Sequence, residues 1–119
     1  MAPKELVIYL NSDLPLQDWG KRHPEMESLP AITPKLRGAL VHHLEKDVCG
    51  DERRRLSFLY AVFRVNTSKA LSLKQWSALY AWLDPTHDPI THTWNVRKET
   101  GWDARRLLYE LGQPEATNG

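Results

Sequence analysis

Residues 71–85 read Leu-Ser-Leu-Lys-Gln-Trp-Ser-Ala-Leu-Tyr-Ala-Trp-Leu-Asp-Pro, and this stretch decides the fold class. Ser72 and Gln75 stand at capping-box spacing, where a hydroxyl and an amide side chain satisfy two otherwise free N–H groups. Leu71 and Trp76 hold the two positions of a hydrophobic staple, so four residues agree on one helix start. Leu73, Trp76, Leu79, Tyr80 and Leu83 recur at three and four residues and paint an apolar face. Asp84-Pro85 ends the helix, because the residue before proline is driven away from helical angles. Trp82 falls about 120° from that face on a ~3.6-residue turn, on the side of Gln75 and Ala78. It either packs against an N-terminal segment or stands exposed as a stacking or docking platform.

Two further helices precede this one. Thr33 is an N-cap and Pro34 sits at the first helical position, where a missing N–H costs nothing. Leu36, Ala39, Leu40, Leu44 and Val48 continue the helical period, and Gly50 stops it. Asp51 caps the next helix, whose inward stripe is Leu56, Leu59, Tyr60 and Phe63. Phe58, Val62 and Val65 make that helix apolar on more than one side, which marks it as the central element.

Outward from these helices the signals weaken. Residues 5–10 form a short apolar run that suits a lone strand, a short helix or an extended segment. Pro15, Gly20, Pro24 and Pro30 make residues 11–32 an irregular arm with one turn near Leu16 to Trp19. After the third helix, Asp88-Pro89 suggests a cap and a first-turn proline opening a segment to about Glu99, with Ile90 and Trp94 inward. A last helix from about Trp102 to Leu111 buries Leu107, Leu108 and Leu111, and Gly112 and Pro114 close it. The turn at Thr100-Gly101 also permits a helix-turn-helix reading, with Arg105 and Arg106 outward. The expected fold is all-α: four to five short helices, with an extended N-terminal arm over residues 1–32, a helical domain over 33–112 and a frayed tail over 113–119.

A chain of 119 residues is one domain's worth. No apolar run reaches the ~20 residues that span a bilayer, and the N-terminus lacks a signal-peptide pattern, so a cytoplasmic protein without a membrane partner is expected. Cys49 is the single cysteine and forms no internal disulfide. The histidines at 42, 43, 87 and 92 stand at no standard metal spacing, and no glycine-rich phosphate loop occurs. Cys49 with a histidine and a carboxylate is the one nucleophile set the residues allow, but an isolated thiol near a helix end is usually structural. The expectation is a non-enzyme with no cofactor and no metal; the oligomeric state is left open.

The formal net charge of +1 conceals a polarised distribution. Residues 53–83 carry Arg53, Arg54, Arg55, Arg64, Lys69 and Lys74 and no acidic residue, while the segments on either side are net acidic. Three arginines at a helix start oppose the helix dipole, a cost that suggests an anionic partner. The candidate nucleic-acid-binding residues are therefore Arg53, Arg54, Arg55, Arg64, Lys69 and Lys74, with Trp82 as the stacking residue. The competing reading is a salt-bridged solvated face.

Residues 33–83 share a longer pattern: Thr33, Leu36 and Leu40, then Arg55, Leu59 and Phe63, then Thr67-Ser68-Lys69-Ala70-Leu71-Ser72, then Gln75-Trp76, Leu79 and Trp82-Leu83. This resembles the small helical module at the ends of some phage and plasmid single-strand annealing and recombination proteins. The resemblance implies a bacterial or phage accessory of DNA recombination, repair or replication that contacts single- or double-stranded nucleic acid or docks a protein. The alternative expectation is a protein-interaction adaptor or inhibitor that meets an acidic partner through Trp82 and the arginines.

Overall fold

The computed structural model describes residues 1–113. In chain order the elements are α1 (Pro3–Leu10), α2 (Leu14–Arg22), α3 (Pro34–His43) running into a π-helical turn (Leu44–Cys49), and α4 (Glu52–Phe63). They continue as a 3-10 turn (Ser68–Ala70), α5 (Leu73–Leu83), a hairpin of β1 (Thr86–Asp88) and β2 (Thr93–Asn95), and α6 (Lys98–Glu110). Among the described residues the fold is mostly helical, with six α-helices and a two-stranded sheet where an all-α bundle of four to five helices was expected.

The caps of the three middle helices form as the sequence indicates. Thr33 Oγ1 accepts from Leu36 N at 3.2 Å, and Asp51 Oδ1 accepts from Arg54 N at 2.9 Å. Both halves of the capping box are present, Gln75 N donating to Ser72 Oγ at 3.1 Å and Ser72 N to Gln75 Oε1 at 2.8 Å. Gly50 stops its helix at φ 106°, a left-handed angle that glycine adopts without a Cβ clash. Just before it, Gly50 N reaches back five residues to Glu45 O at 2.7 Å, so the end of this long helix is widened by one residue.

The N-terminal segment is a helical pair rather than an extended arm. Pro3 and Pro15 sit in first turns, where proline opens a helix instead of breaking one. Leu6 and Leu10, four residues apart, enter the core, and Trp19 is buried four residues after buried Pro15. Asn11 locks the corner by donating from Nδ2 to Val7 O and to Val62 O, both at 2.8 Å. Asp84 holds the second helix: its carboxylate accepts from Arg22 Nε at 3.0 Å and meets His23 Nε2 at 2.9 Å. Only residues 23–33 between these helices and α3 stay irregular.

The core is centred on α4 and α5. The buried face of α4 is Arg54, Arg55, Phe58, Leu59, Val62 and Phe63, so Tyr60 points outward and Phe58 and Val62 inward. On α5, Trp76, Leu79 and Leu83 are buried as expected, while Leu73 is exposed. Ala78, Ala81 and Trp82 are buried as well, which makes α5 apolar on several sides. Trp82 stacks on Phe58 with ring centroids 5.5 Å apart and planes 9° off parallel. It is 1% exposed, which excludes it as a stacking platform for a ligand.

The segment after α5 corrects the reading of residues 89–99 as a helix, and with it the helix-turn-helix. Asp84 takes a left-handed angle (φ 45°) and Pro85 follows, which turns the chain out of the helix. Asp88 then caps a turn instead of a helix, its Oδ1 accepting from Ile90 N at 2.8 Å. β-branched Thr86 and Thr93 flank that turn, and His87 pairs directly with Trp94 across the two strands. The last helix begins at Lys98, four residues before the expected start, and Leu111 lies just beyond its end, exposed. Of the expected tail, residues 114–119 lie outside the described residues.

Truncating a large buried aromatic typically costs about 3–5 kcal/mol. Trp82→Ala is therefore expected to lower unfolding free energy in urea by that amount, whereas Trp102→Ala, at a residue 57% exposed, should change it by no more than about 0.5 kcal/mol. Equal effects would contradict this core.

Candidate nucleic-acid interface

The six basic residues between 53 and 83 do not form one face. Arg54 and Arg55 are 7% and 9% exposed because they extend the inward stripe of α4 by one turn beyond Phe58 and Leu59. Arg55 Nε donates to Glu45 Oε1 at 3.3 Å, and the widened turn at 44–49 carries that carboxylate. Its Nη1 is buried and has no partner among the described residues. Arg54 Nη1 lies 3.9 Å from Asp51 Oδ2. Lys74 is exposed but pairs with Asp13 at 3.3 Å. That leaves Arg53 at the start of α4, Arg64 at its end over the Tyr60 ring, and Lys69 in the 3-10 turn. At ~1.5 Å per residue, Arg53 and Arg64 are about 16 Å apart along the helix axis.

A different surface combines cations with aromatic rings. On α6 the exposed residues Lys98, Trp102, Arg105 and Tyr109 recur at four, three and four residues and so share one stripe. The acids Glu99, Asp103 and Glu110 fall to one side of it, and Asp103 is occupied by the Met1 ammonium at 2.8 Å. Trp102 and Tyr109 are 57% and 82% exposed. Beside the N-terminal half of this stripe, β2 presents Trp94, 55% exposed. Trp94 was expected to face inward, but all three residues of β2 are exposed, and Trp102 lies on α6 opposite its buried face.

Trp94 and Trp102 border a groove of about 410 Å³ that Arg97, Lys98, Arg105 and Asp47 also line. Three cations thus face one carboxylate. Arg97 is anchored, its Nε donating to Trp82 O at 3.2 Å and its N–H to Leu83 O at 3.3 Å. Those bonds dock the start of α6 on the end of α5 and hold one wall of the groove. On its other flank, Trp94 also borders an apolar cleft of about 280 Å³ between α3 and Pro85. Asp47 Oδ2 lies 2.6 Å from His43 Nδ1, and His43 is part of the cleft wall. The one signal in the sequence for this surface was the Lys98–Trp102–Arg105–Tyr109 spacing, legible only once the helix is started at Lys98.

Burial pushes the Cys49 thiol up to about 12, which keeps it protonated and inert at neutral pH. Among the described residues, no three His, Cys, Asp or Glu side chains converge to hold a metal ion. No helix of the described residues is long and apolar enough to cross a membrane. Compared with family models, curated proteins and solved structures, the chain matches none.

Tyr9 is also pushed up to about 12, first by burial and then by the hydrogen bond its hydroxyl donates to Asp18 Oδ2 at 2.6 Å. Both raised groups favour their protonated forms in the folded state. The unfolded chain loses these protons from about pH 8.5 for the thiol and about pH 10 for the phenol, so stability is full below that range and falls toward pH 12. Urea midpoints are expected to be flat around pH 8 and to decline steadily above about pH 9. In native protein at pH 8, Cys49 should resist a thiol reagent that labels it at once in denaturant.

Proposed function

We propose that the protein is a small non-enzymatic nucleic-acid-associated module that binds single strands through the groove between Trp94 and Trp102. The observation that carries this reading is the alternation of cation and aromatic along α6, Lys98, Trp102, Arg105 and Tyr109, with Trp94 facing it. Single strands are held by this combination: cations follow the phosphates, and rings stack on bases of any sequence. Arg53, Arg64 and Lys69 are exposed cations outside the groove and extend the positive field without adding rings. The role as a cytoplasmic accessory of DNA recombination, repair or replication, of bacterial or phage type, rests on the resemblance of residues 33–83.

A second reading is supported by Ile90, 86% exposed at the hairpin tip, since an aliphatic side chain offers a base nothing to stack on. In that reading the same tryptophans and arginines form the hot spot of an adaptor or inhibitor that docks an acidic protein.

Fluorescence anisotropy with labelled oligodeoxyuridylate and oligouridylate, which differ only in the sugar, tests the first reading, and the tighter of the two identifies the sugar. Binding should weaken between about 50 and 200 mM salt, and replacing Lys98 and Arg105 together by glutamine should flatten the logarithmic salt slope by about 1.4, at ~0.7 per phosphate contact. Trp102→Ala should cost about 1–3 kcal/mol of affinity. Salt-independent binding, or binding untouched by both changes, would overturn it. If neither strand binds and an acidic protein partner is recovered after nuclease treatment, the surface belongs to the adaptor reading.

A further inference from the structure

The groove beside α6 holds a carboxylate among cations that do not neutralise it. Asp47 lies on the turn at Leu44–Cys49, which packs against α6, and it lines the groove together with Arg97, Lys98 and Arg105. Its Oδ2 meets His43 Nδ1 at 2.6 Å, yet its side chain remains 45% exposed. Among the described residues His43 is the one side-chain partner of Asp47, and Lys98 and Arg105 take part in no ion pair. A carboxylate offers about four lone-pair positions, so Asp47 has acceptor capacity left for a ligand in the groove. In a site that only followed phosphates, this carboxylate would repel the strand where the three cations attract it. Its position suits a ligand with two ends, an anionic group for the cations and N–H donors for Asp47.

We infer that the groove selects guanine: the base stacks on the groove tryptophans, donates from N1–H and its N2 amino group to Asp47, and keeps its phosphate at Lys98 and Arg105. The inference rests on the single-strand reading above. Guanine is the base whose pairing edge carries two adjacent N–H donors, the same fork that an arginine offers a carboxylate. Adenine and cytosine place a ring-nitrogen acceptor beside their amino group, and uracil and thymine set one N–H between two carbonyl oxygens. Each of those edges brings a lone pair against the carboxylate. The guanine edge is engaged in a duplex and free in an unpaired base, so the same contact favours single strands. Trp94 and Trp102 supply stacking that is indifferent to the base, which leaves Asp47 as the groove residue that discriminates. The groove volume of about 410 Å³ lies low in the ~300–1,000 Å³ range of small-ligand sites, which matches the reading of one base rather than a run.

The test titrates the full chain against four short oligodeoxyuridylates whose central base is uracil, guanine, hypoxanthine or adenine, followed by fluorescence anisotropy. Hypoxanthine is guanine without the N2 amino group, and adenine offers a similar stacking surface without the paired donors. The guanine strand should bind about tenfold more tightly than the adenine strand, as expected for two hydrogen bonds to a half-exposed carboxylate, with hypoxanthine between them. Asp47→Asn should erase the advantage of guanine, because the amide keeps an acceptor for His43 but loses the charge. The same variant should bind the uracil strand at least as tightly as the wild type does, since a repulsive charge has gone, and this readout separates a lost contact from a lost fold. Guanine selection is refuted if the wild type binds the guanine and adenine strands equally, or if Asp47→Asn keeps the preference or weakens all four strands alike. In those cases salt-sensitive binding of the uracil strand by the wild type leaves the groove reading standing. If no strand binds the wild type, both are overturned.

Discussion

The stack of Trp82 on Phe58 is the contact on which the rest of the molecule depends. Trp82 is the largest fully buried side chain, and its ring joins α5 to α4 in the near-parallel geometry that aromatic pairs favour when offset. Its backbone carbonyl holds Arg97, so the residue that closes the core also seats the return of the chain from the hairpin. One residue further on, Leu83 O accepts the Arg97 N–H, and Asp84 turns back to clasp Arg22 and His23. The N-terminal helices, the hairpin and the start of α6 are thereby all tied to three consecutive residues at the end of α5.

That arrangement explains why the basic sequence between 53 and 83 is not a basic surface. Once Phe58 is turned inward to meet Trp82, residues one turn earlier on α4 share its direction, and those are Arg54 and Arg55. Burying a guanidinium is costly unless it is paired, and the widened turn at Leu44–Cys49 presents Glu45 to Arg55. The arginines that looked like a phosphate contact are part of the packing of the helix end. The charges that remain free lie at opposite ends of α4 and beyond it.

The caps and stops of the middle helices were legible in the sequence, although Ala39, Tyr60 and Leu73 of the expected apolar faces are exposed. Thr33, Asp51, Ser72 and Gln75 make the caps their types imply, and Gly50 and Asp84-Pro85 end helices where the sequence says they should. These signals are local: each needs partners within four residues. The ends of the chain were misread for the opposite reason. Pro3 and Pro15 look like breakers until Leu6, Leu10 and Trp19 are seen to have a core to enter. Asp88-Pro89 looks like a helix start as readily as the turn it makes.

The candidate site was the least legible part. Trp94 and Trp102 have the composition of core residues, and which side of an element faces solvent depends on what packs against the other side. For α6 that is the turn at Leu44–Cys49 together with α1 and α4, which cover Ala104, Leu107 and Leu108 and leave the Lys98 to Tyr109 stripe outside. The amino-acid sequence by itself determined the three central helices, their N-terminal caps, the stops at Gly50 and Asp84-Pro85 and the absence of a membrane-length apolar helix, because caps, prolines and short-range periodicity act within single turns. Only the tertiary structure decided that Trp82 is core, that Arg54 and Arg55 are buried, and that Trp94 and Trp102 share one cationic groove. Burial is a property of the partner surface, and residues distant in sequence supply that surface.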